Sequence, residues 1–293
     1  MNPPWGCVEV LMGVDLGAML RRVSGPLLAG LDRGAMDRLF LVPSGVPRPS
    51  LLIRAQKEGC SAEEIEARLG VMLAPAGPVA SLSYLPEEGR YGGRRGIALA
   101  EQVFYLSTVA LLRAATVRDL ESEAKRARAA MVAALTFGVS YLETRERGAR
   151  FFARWLVRWL SPEAQALPCG EAQQRLNKVV ERAERQGSKI IEHLPRLWEQ
   201  ALQGDQEGWS AWLLDSLVLS RAAHREAFLQ GDLDLEHFEN ISLPSYLHMS
   251  NRRHGLLRVD ELYQSYLLAV GLGGKEQIDE ELRLNYREQG REP

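Results

Sequence analysis

Two stretches of this 293-residue chain gather side chains able to do chemistry. The first is Arg54 together with the later segment Tyr84-Leu85-Pro86-Glu87-Glu88-Gly89-Arg90-Tyr91-Gly92-Gly93, and the second is Ser245-Tyr246-Leu247-His248-Met249-Ser250-Asn251-Arg252. Guanidinium, carboxylate and phenol groups crowded into a few residues can hold a carboxylate or a peptide backbone, and the glycines at 89, 92 and 93 allow the main chain to come close to a ligand. A structural reading competes with this: Glu87 pairing with Arg90 would simply staple a tight turn into the next helix. Composition leaves both readings open. His248 adds an imidazole, whose ordinary pKa of about 6.5 suits proton transfer near neutral pH. A lone histidine more often ends as a hydrogen-bonded core residue, and the spacing of Ser245, His248 and Arg252 establishes only that they can share one helix face.

Other chemistries find little support. No GxSxG, GxGxxG, Walker A or HExxH motif occurs, and Cys7, Cys60 and Cys169 are too few and too scattered for a disulfide framework or a thiolate metal site. No metal or organic cofactor is implied. A net charge of −2 argues against a nonspecific nucleic-acid binder. The N-terminus lacks the basic and apolar regions of a signal peptide, and no apolar run reaches bilayer length, so membrane insertion is not expected. A reducing, cytoplasmic setting fits best. Lys125-Arg126-Ala127-Arg128 reads as a solvated helix face, and Trp155 with Trp159 as a core stripe.

These groups must be positioned by a core, and 46% hydrophobic against 25% charged residues are enough to close one. Trp5–Gly13 reads as a strand, and Leu16, Met19, Leu20, Val23, Leu27 and Leu31 then recur at helical spacing. Arg38–Val42 and Ser50–Ala55 are strand-like runs joined by the proline-rich segment 43–49, which suggests a hairpin. Ser61 with Glu64 is a capping box opening a helix to about Leu73, and Val79–Leu85 supplies a fourth strand. The order β-α-β-β-α-β predicts a ferredoxin-like arrangement. Beyond Gly93 the pattern is helical: one face carries Ile97, Ala100, Phe104, Thr108 and Leu111. A longer series from Ala124 to Leu160 breaks near Gly138, another runs from Leu176 to Trp198 across Gly187 and Pro195, and a last strong helix covers Val259–Val270 before a polar, fraying tail. The expected fold class is α+β, a single fold over 1–293 with an α+β part at 1–93 and a mainly helical part at 94–293.

At the two polar clusters the chain resembles a known family, the thiopeptide-type bacteriocin biosynthesis domain, which is similar to the C-terminal elimination domain of class I lanthipeptide dehydratases. Pro49-Ser50-Leu51-Leu52-Ile53-Arg54 resembles the family's HLRLR strand; Tyr84–Gly93 with Ala100-Glu101-Gln102-Val103-Phe104 resembles its YxPExxRYGG…AExxF block; Ser245–Arg252 resembles its SxxHMxxNR block. The resemblance implies action on a ribosomal precursor peptide, leader and core, with dehydratase subunits as candidate neighbours. Two activities live on this fold. One is β-elimination of glutamate from glutamylated Ser or Thr. The other is the formal aza-[4+2] cycloaddition of two dehydroalanines to a six-membered nitrogen ring, with loss of water and leader.

In the eliminases, arginines hold the departing glutamate and acid/base residues move protons; the matching positions are Arg54, Glu87, Arg90 and His248. The histidine and first arginine of HLRLR have become Ser50 and Leu52. Losing a charge-assisted carboxylate contact weakens glutamate recognition, which favours the cycloaddition enzyme, a thiopeptide pyridine synthase, over the eliminase or a non-catalytic peptide-binding subunit. Such an enzyme must bring two peptide segments to a near-attack distance of about 3–3.5 Å with one amide in its imidic-acid tautomer. On that reading His248, Tyr246 and Ser245 handle protons; Arg54, Glu87, Arg90, Tyr91 and Asn251 orient the peptide; and the helical region 120–240 forms a groove for core or leader.

Overall fold

Strands β1 (Trp5–Leu11), β2 (Arg38–Ser44), β3 (Ser50–Gln56) and β4 (Val79–Ser81) form one antiparallel sheet in the order β2-β3-β1-β4. Side chains alternate across a strand. Val8, Val10, Leu39, Leu41, Leu51, Ile53 and Ala55 therefore share one face, where they join the apolar stripes of α1 (Leu16–Asp32) and α2 (Ala62–Leu73) in a common core. The opposite face carries Trp5, Cys7, Phe40, Leu52 and Arg54. This is the βαββαβ order expected from the periodicity, with a large helical region following it. The expected capping box is present: Glu64 donates its amide to Ser61 Oγ at 3.3 Å, and the Ser61 amide donates to Glu64 Oε2 at 2.8 Å. Only glycine fits at position 6, because a Cβ there would lie 2.8 Å from the Ala62 carbonyl oxygen of α2.

The computed structural model describes residues 4–44, 49–117, 120–160 and 169–288. They divide into two compact units, Met1–Ala134 with Glu207–Leu256, and Leu135–Gln206 with Leu257–Pro293. The hairpin tip at 45–48 and the last tail residues, 289–293, lie outside the described residues. Strand β4 is shorter than the expected Val79–Leu85: past Ser81 a single further bond joins the Leu82 amide to the Cys7 carbonyl at 2.9 Å.

In the first unit, α3 (Arg94–Thr116) runs beside β2 and α8 (Gly208–Leu229) lies along α3. Helix α3 is long and apolar enough to cross a bilayer, yet 78% of that stretch is buried inside the protein, as a core helix requires. Strand β2 is a sheet edge, and exposed edges invite unwanted pairing. Here the outward backbone groups of Leu41 are taken by side chains: its amide donates to Thr108 Oγ1 at 3.2 Å, and its carbonyl accepts from Arg253 Nε at 2.6 Å. In the basic stretch of α4 (Glu123–Leu142), Lys125 and Arg128 are exposed and Arg126 is half-buried.

The second unit contains the end of α4, α5 (Arg145–Leu160), α6 (Cys169–Gln186), α7 (Ser188–Leu202), α10 (Arg258–Gly271) and α11 (Lys275–Glu288). The helix break expected at Gly138 falls instead at Glu143, whose φ is 64°. Gly138 sits inside α4, and with Gly148 it makes room for the fully buried Trp198; a Cβ would come within 2.9 Å and 2.6 Å of that ring respectively. Pro195 lies within α7 without ending it. Trp155 is core, as expected, whereas Trp159 is half-buried beneath the Arg258 guanidinium, 4.4 Å from its ring centre. The polar segment expected to fray is helix α11 as far as Glu288, anchored by buried Ile278 and by the Arg154–Glu281 ion pair at 3.2 Å.

Candidate functional site

Arg54 stands in β3 opposite Cys7 of β1 and Phe40 of β2, on the face of the sheet away from α1 and α2. Its guanidinium lies 4.3 Å from the Tyr84 ring centre and 5.3 Å from that of Phe40. Aromatic faces hold a cation without neutralising it. Arg54 Nε is buried with no acceptor among the described residues, so its N–H is available to a ligand oxygen. Tyr84 donates its hydroxyl to Glu101 Oε1 at 2.9 Å. Burial pushes both groups up, the Glu101 carboxyl and the Tyr84 phenol, the latter helped by the Glu101 charge. The phenol therefore keeps its proton and remains a donor. Burial likewise raises the Cys7 thiol against the pull of Arg54.

The segment that follows Tyr84 turns into α3 through a single 3₁₀ turn, Glu88–Tyr91. Gly92 and Gly93 have φ of 78° and 92°, values that favour glycine; Gly89 needs no such freedom. Glu87 and Arg90 do pair, at 3.1 Å, and both are exposed. Tyr91 is buried and stacks on Tyr246 with ring centres 5.8 Å apart and 16° between planes, while Phe104 meets both rings edge-on. The Arg90 carbonyl accepts from His237 Nε2 at 3.0 Å. Aromatic contacts thus run without a gap from Trp5 through Phe40 and Phe104 to Tyr91, Tyr246 and Phe238.

Helix α9 (Leu243–Arg253) follows one wide π turn, Phe238–Ser242, a geometry frequent at functional sites. Its faces divide the expected residues. Ser245 and His248 are half-buried and Arg252 exposed, on one side; Tyr246, Asn251 and Arg253 are buried. His224 sits 2.9 Å from the Ser220 carbonyl through Nδ1 and 3.2 Å from the Tyr246 hydroxyl through Nε2. A carbonyl can only accept, so Nδ1 carries the proton and Tyr246 donates to Nε2. Burial lowers the His224 pKa to about 4, which keeps the ring neutral. Arg253, 1% exposed, donates to the Leu41 carbonyl and, at 2.9 Å, to Ser107 Oγ, and its guanidinium lies 5.1 Å from the Phe104 ring centre. Burial pulls it down to about 9, still a cation at neutral pH.

A sequence model of the family described as lantibiotic biosynthesis dehydratase C-term matches residues 5–270. The chain belongs to this family. Its fold is shared by the crystal structure of TsrL, with a TM-score of 0.65, 17% identity and 98% of each chain covered. TbtD, the pyridine synthase from thiomuracin biosynthesis, superimposes with a TM-score of 0.64 at 12% identity, covering 92% of this chain and 98% of that one. MibB, the tRNA-dependent lantibiotic dehydratase from Microbispora sp. 107891, gives 0.55 at 16% identity over 98% of this chain but only 29% of its own. At these identities the likeness is one of fold. Comparison with curated protein sequences returns no match.

Within this dehydratase C-terminal-type domain, the two polar clusters meet through the Tyr91–Tyr246 stack. Arg54, Tyr84 and Glu101 gather between α3 and the face of the sheet turned away from α1 and α2, and Arg90 with Tyr91 lies where α9 approaches α3. Sequence reasoning assigned no role to Glu101, Tyr84, His224 or Arg253. Glu101 carried a readable signal, a carboxylate on the apolar stripe between Ile97 and Phe104. Arg253 carried none, being one of two adjacent arginines.

Proposed function

We propose that this domain is the ring-forming enzyme of a thiopeptide-type pathway, joining two dehydroalanines of a ribosomal peptide in a formal aza-[4+2] cycloaddition. Two C–C bonds form, from the methylene carbon and the imidic carbon of the azadiene to the two alkene carbons of the other dehydroalanine, the ring nitrogen being the amide nitrogen already in place. The imidic hydroxyl then leaves as water and the leader departs as its amide, giving a pyridine. The observation that carries this reading lies on the face of β3 turned away from α1 and α2, whose alternate residues are Ser50, Leu52 and Arg54. One cation stands where the family's strand pattern has several charged groups. A single guanidinium suits an amide oxygen better than a departing glutamate, which calls for a second charge-assisted partner. The full-length likeness to a pyridine synthase fold points the same way.

On this reading Arg54 holds the carbonyl of the reacting amide, Tyr84 keeps the guanidinium in place, and His248 with Ser245 moves the imidic proton and later protonates the leaving groups. Tyr246 acts from behind, its own proton committed to His224. The exposed Glu87–Arg90 pair orients the neighbouring peptide, while Tyr91, buried in its stack with Tyr246, and Asn251, buried in α9, act from behind it. Incubation with a precursor carrying two dehydroalanines should release intact leader and yield a pyridine chromophore. An unchanged precursor mass, together with loss of glutamate from a glutamylated precursor, would overturn the proposal in favour of elimination.

A further inference from the structure

The second unit carries a separate cleft between α6 and α10, about 310 Å³ in volume, lined by Lys178, Val179, Arg182, Arg185, Gln186, Val259 and Tyr263. Lys178, Arg182 and Arg185 stand at i, i+4 and i+7 on α6, so one helix face presents three cations. Arg182 is fixed: Asp260 accepts from it at 2.9 Å and the Tyr263 ring centre lies 4.1 Å from its guanidinium. The Arg185 guanidinium donates through Nε to the Glu181 carbonyl, and neither it nor Lys178 forms an ion pair among the described residues. Asp260 thus offsets one of three charges. The stripe continues one turn back to Arg175, whose charge, after burial, depresses the neighbouring Arg258 of α10. Lys178 and Arg185, both exposed and about 10 Å apart on one helix face, raise the potential for an incoming anion.

We infer that this cleft binds an acidic segment of the peptide substrate, outside the residues that react. The inference rests on the peptide substrate proposed above. Mid-helix backbone amides are consumed within the helix, so the cleft offers no amide nest of the kind that grips phosphate. Its donors are long side chains above an apolar floor of Val179, Val259 and Tyr263. Such a surface fits carboxylates interspersed with apolar side chains, and the distance from Lys178 to Arg185, about 10 Å, matches about three residues of extended peptide.

Fluorescence anisotropy with a fluorescein-labelled Glu-Ala-Leu repeat peptide, and with its Lys-Ala-Leu counterpart, tests this directly. The acidic peptide should bind, the basic one should not, and added salt should weaken binding. The Lys178→Glu/Arg185→Glu variant, altered only at exposed positions, should bind about tenfold more weakly or worse. Lys178→Gln/Arg185→Gln provides the same comparison should charge reversal disturb folding. Equal affinity in wild type and variant, or equal binding of the basic peptide, would overturn the inference. Turnover of a short substrate without an acidic stretch should be unchanged in the variant. Absence of turnover in wild type alongside charge-dependent binding would count against the proposed reaction and leave the cleft standing.

Discussion

Two histidines buried in the first unit make its stability fall steeply in mild acid. His224 and His254 each donate Nδ1 to the carbonyl four residues back, at 2.9 Å, and burial lowers each pKa from 6.5 to about 4. Between these limits the unfolded chain binds protons that the folded one refuses, so stability decreases as pH falls from 6.5 towards 4 and the loss is complete below 4. At about 1.4 kcal/mol per pH unit, each histidine withdraws about 2 kcal/mol by pH 5 and about 3 kcal/mol by pH 4. Together they remove about 4 kcal/mol at pH 5, a large share of the 5–15 kcal/mol typical of a domain. Glu101, raised by burial, titrates with the opposite sign, so the measurement must be a difference. Urea unfolding at pH 7.5 and pH 5, read by hydrogen exchange on peptides from α8 and α9, should show wild type losing about 4 kcal/mol more than a His224→Gln/His254→Gln variant. Equal losses in the two proteins would falsify the claim that these rings are held neutral.

Two further predictions separate chemistry from packing. His248→Ala should lower turnover of the dehydroalanine precursor by about 10²–10⁴-fold with an unchanged urea midpoint, whereas Tyr246→Phe should cost about 1–3 kcal/mol of stability by leaving the buried His224 Nε2 without its donor; the reverse pattern would exchange their roles. Arg253→Met should destabilise by about 1–3 kcal/mol, because the edge-strand carbonyl of Leu41 loses its donor while a buried charge is relieved, and Arg253→Ala by about 2–5 kcal/mol once the cavity is included. A thermal unfolding series on the two variants checks the order, and an alanine variant as stable as the methionine one would refute it.

What could be read from the sequence was whatever local physics decides. The Ser61–Glu64 capping box involves neighbours in the chain, and the strands and first helices are short runs whose apolar content is local, so both the helix start and the β-α-β-β-α-β order along the chain were legible. Gly138 was misread as a breaker because its reason for being glycine is Trp198, far along the chain. Helix α11 was invisible for the same reason: its polar composition signals fraying, and its anchors are Ile278 in the core and an ion pair to Arg154. At the candidate site the motif residues were legible as a group but their division was not. Tyr246 and His248 are two positions apart on a helix, about 200° around it, and only packing against α3 and α8 decides which of them is buried.

The electrostatics of the first unit bear on the choice between ring formation and elimination. Arg54 and Arg253 are both held inside, and neither forms an ion pair among the described residues. Aromatic faces and neutral oxygens hold them instead. The nearby acid, Glu101, is taken up by the Tyr84 hydroxyl. Arg253 spends two of its donors on the protein itself, which makes it a clamp on the sheet edge. Arg54 Nε and the remaining Arg253 Nη2 are both buried and still lack an acceptor among the described residues. A glutamate leaving group would bring a full negative charge and two oxygens, while a peptide amide brings a single partial charge. On the proposed reading the second demand falls to Arg54, which stands beside Leu52 and Ser50 on β3.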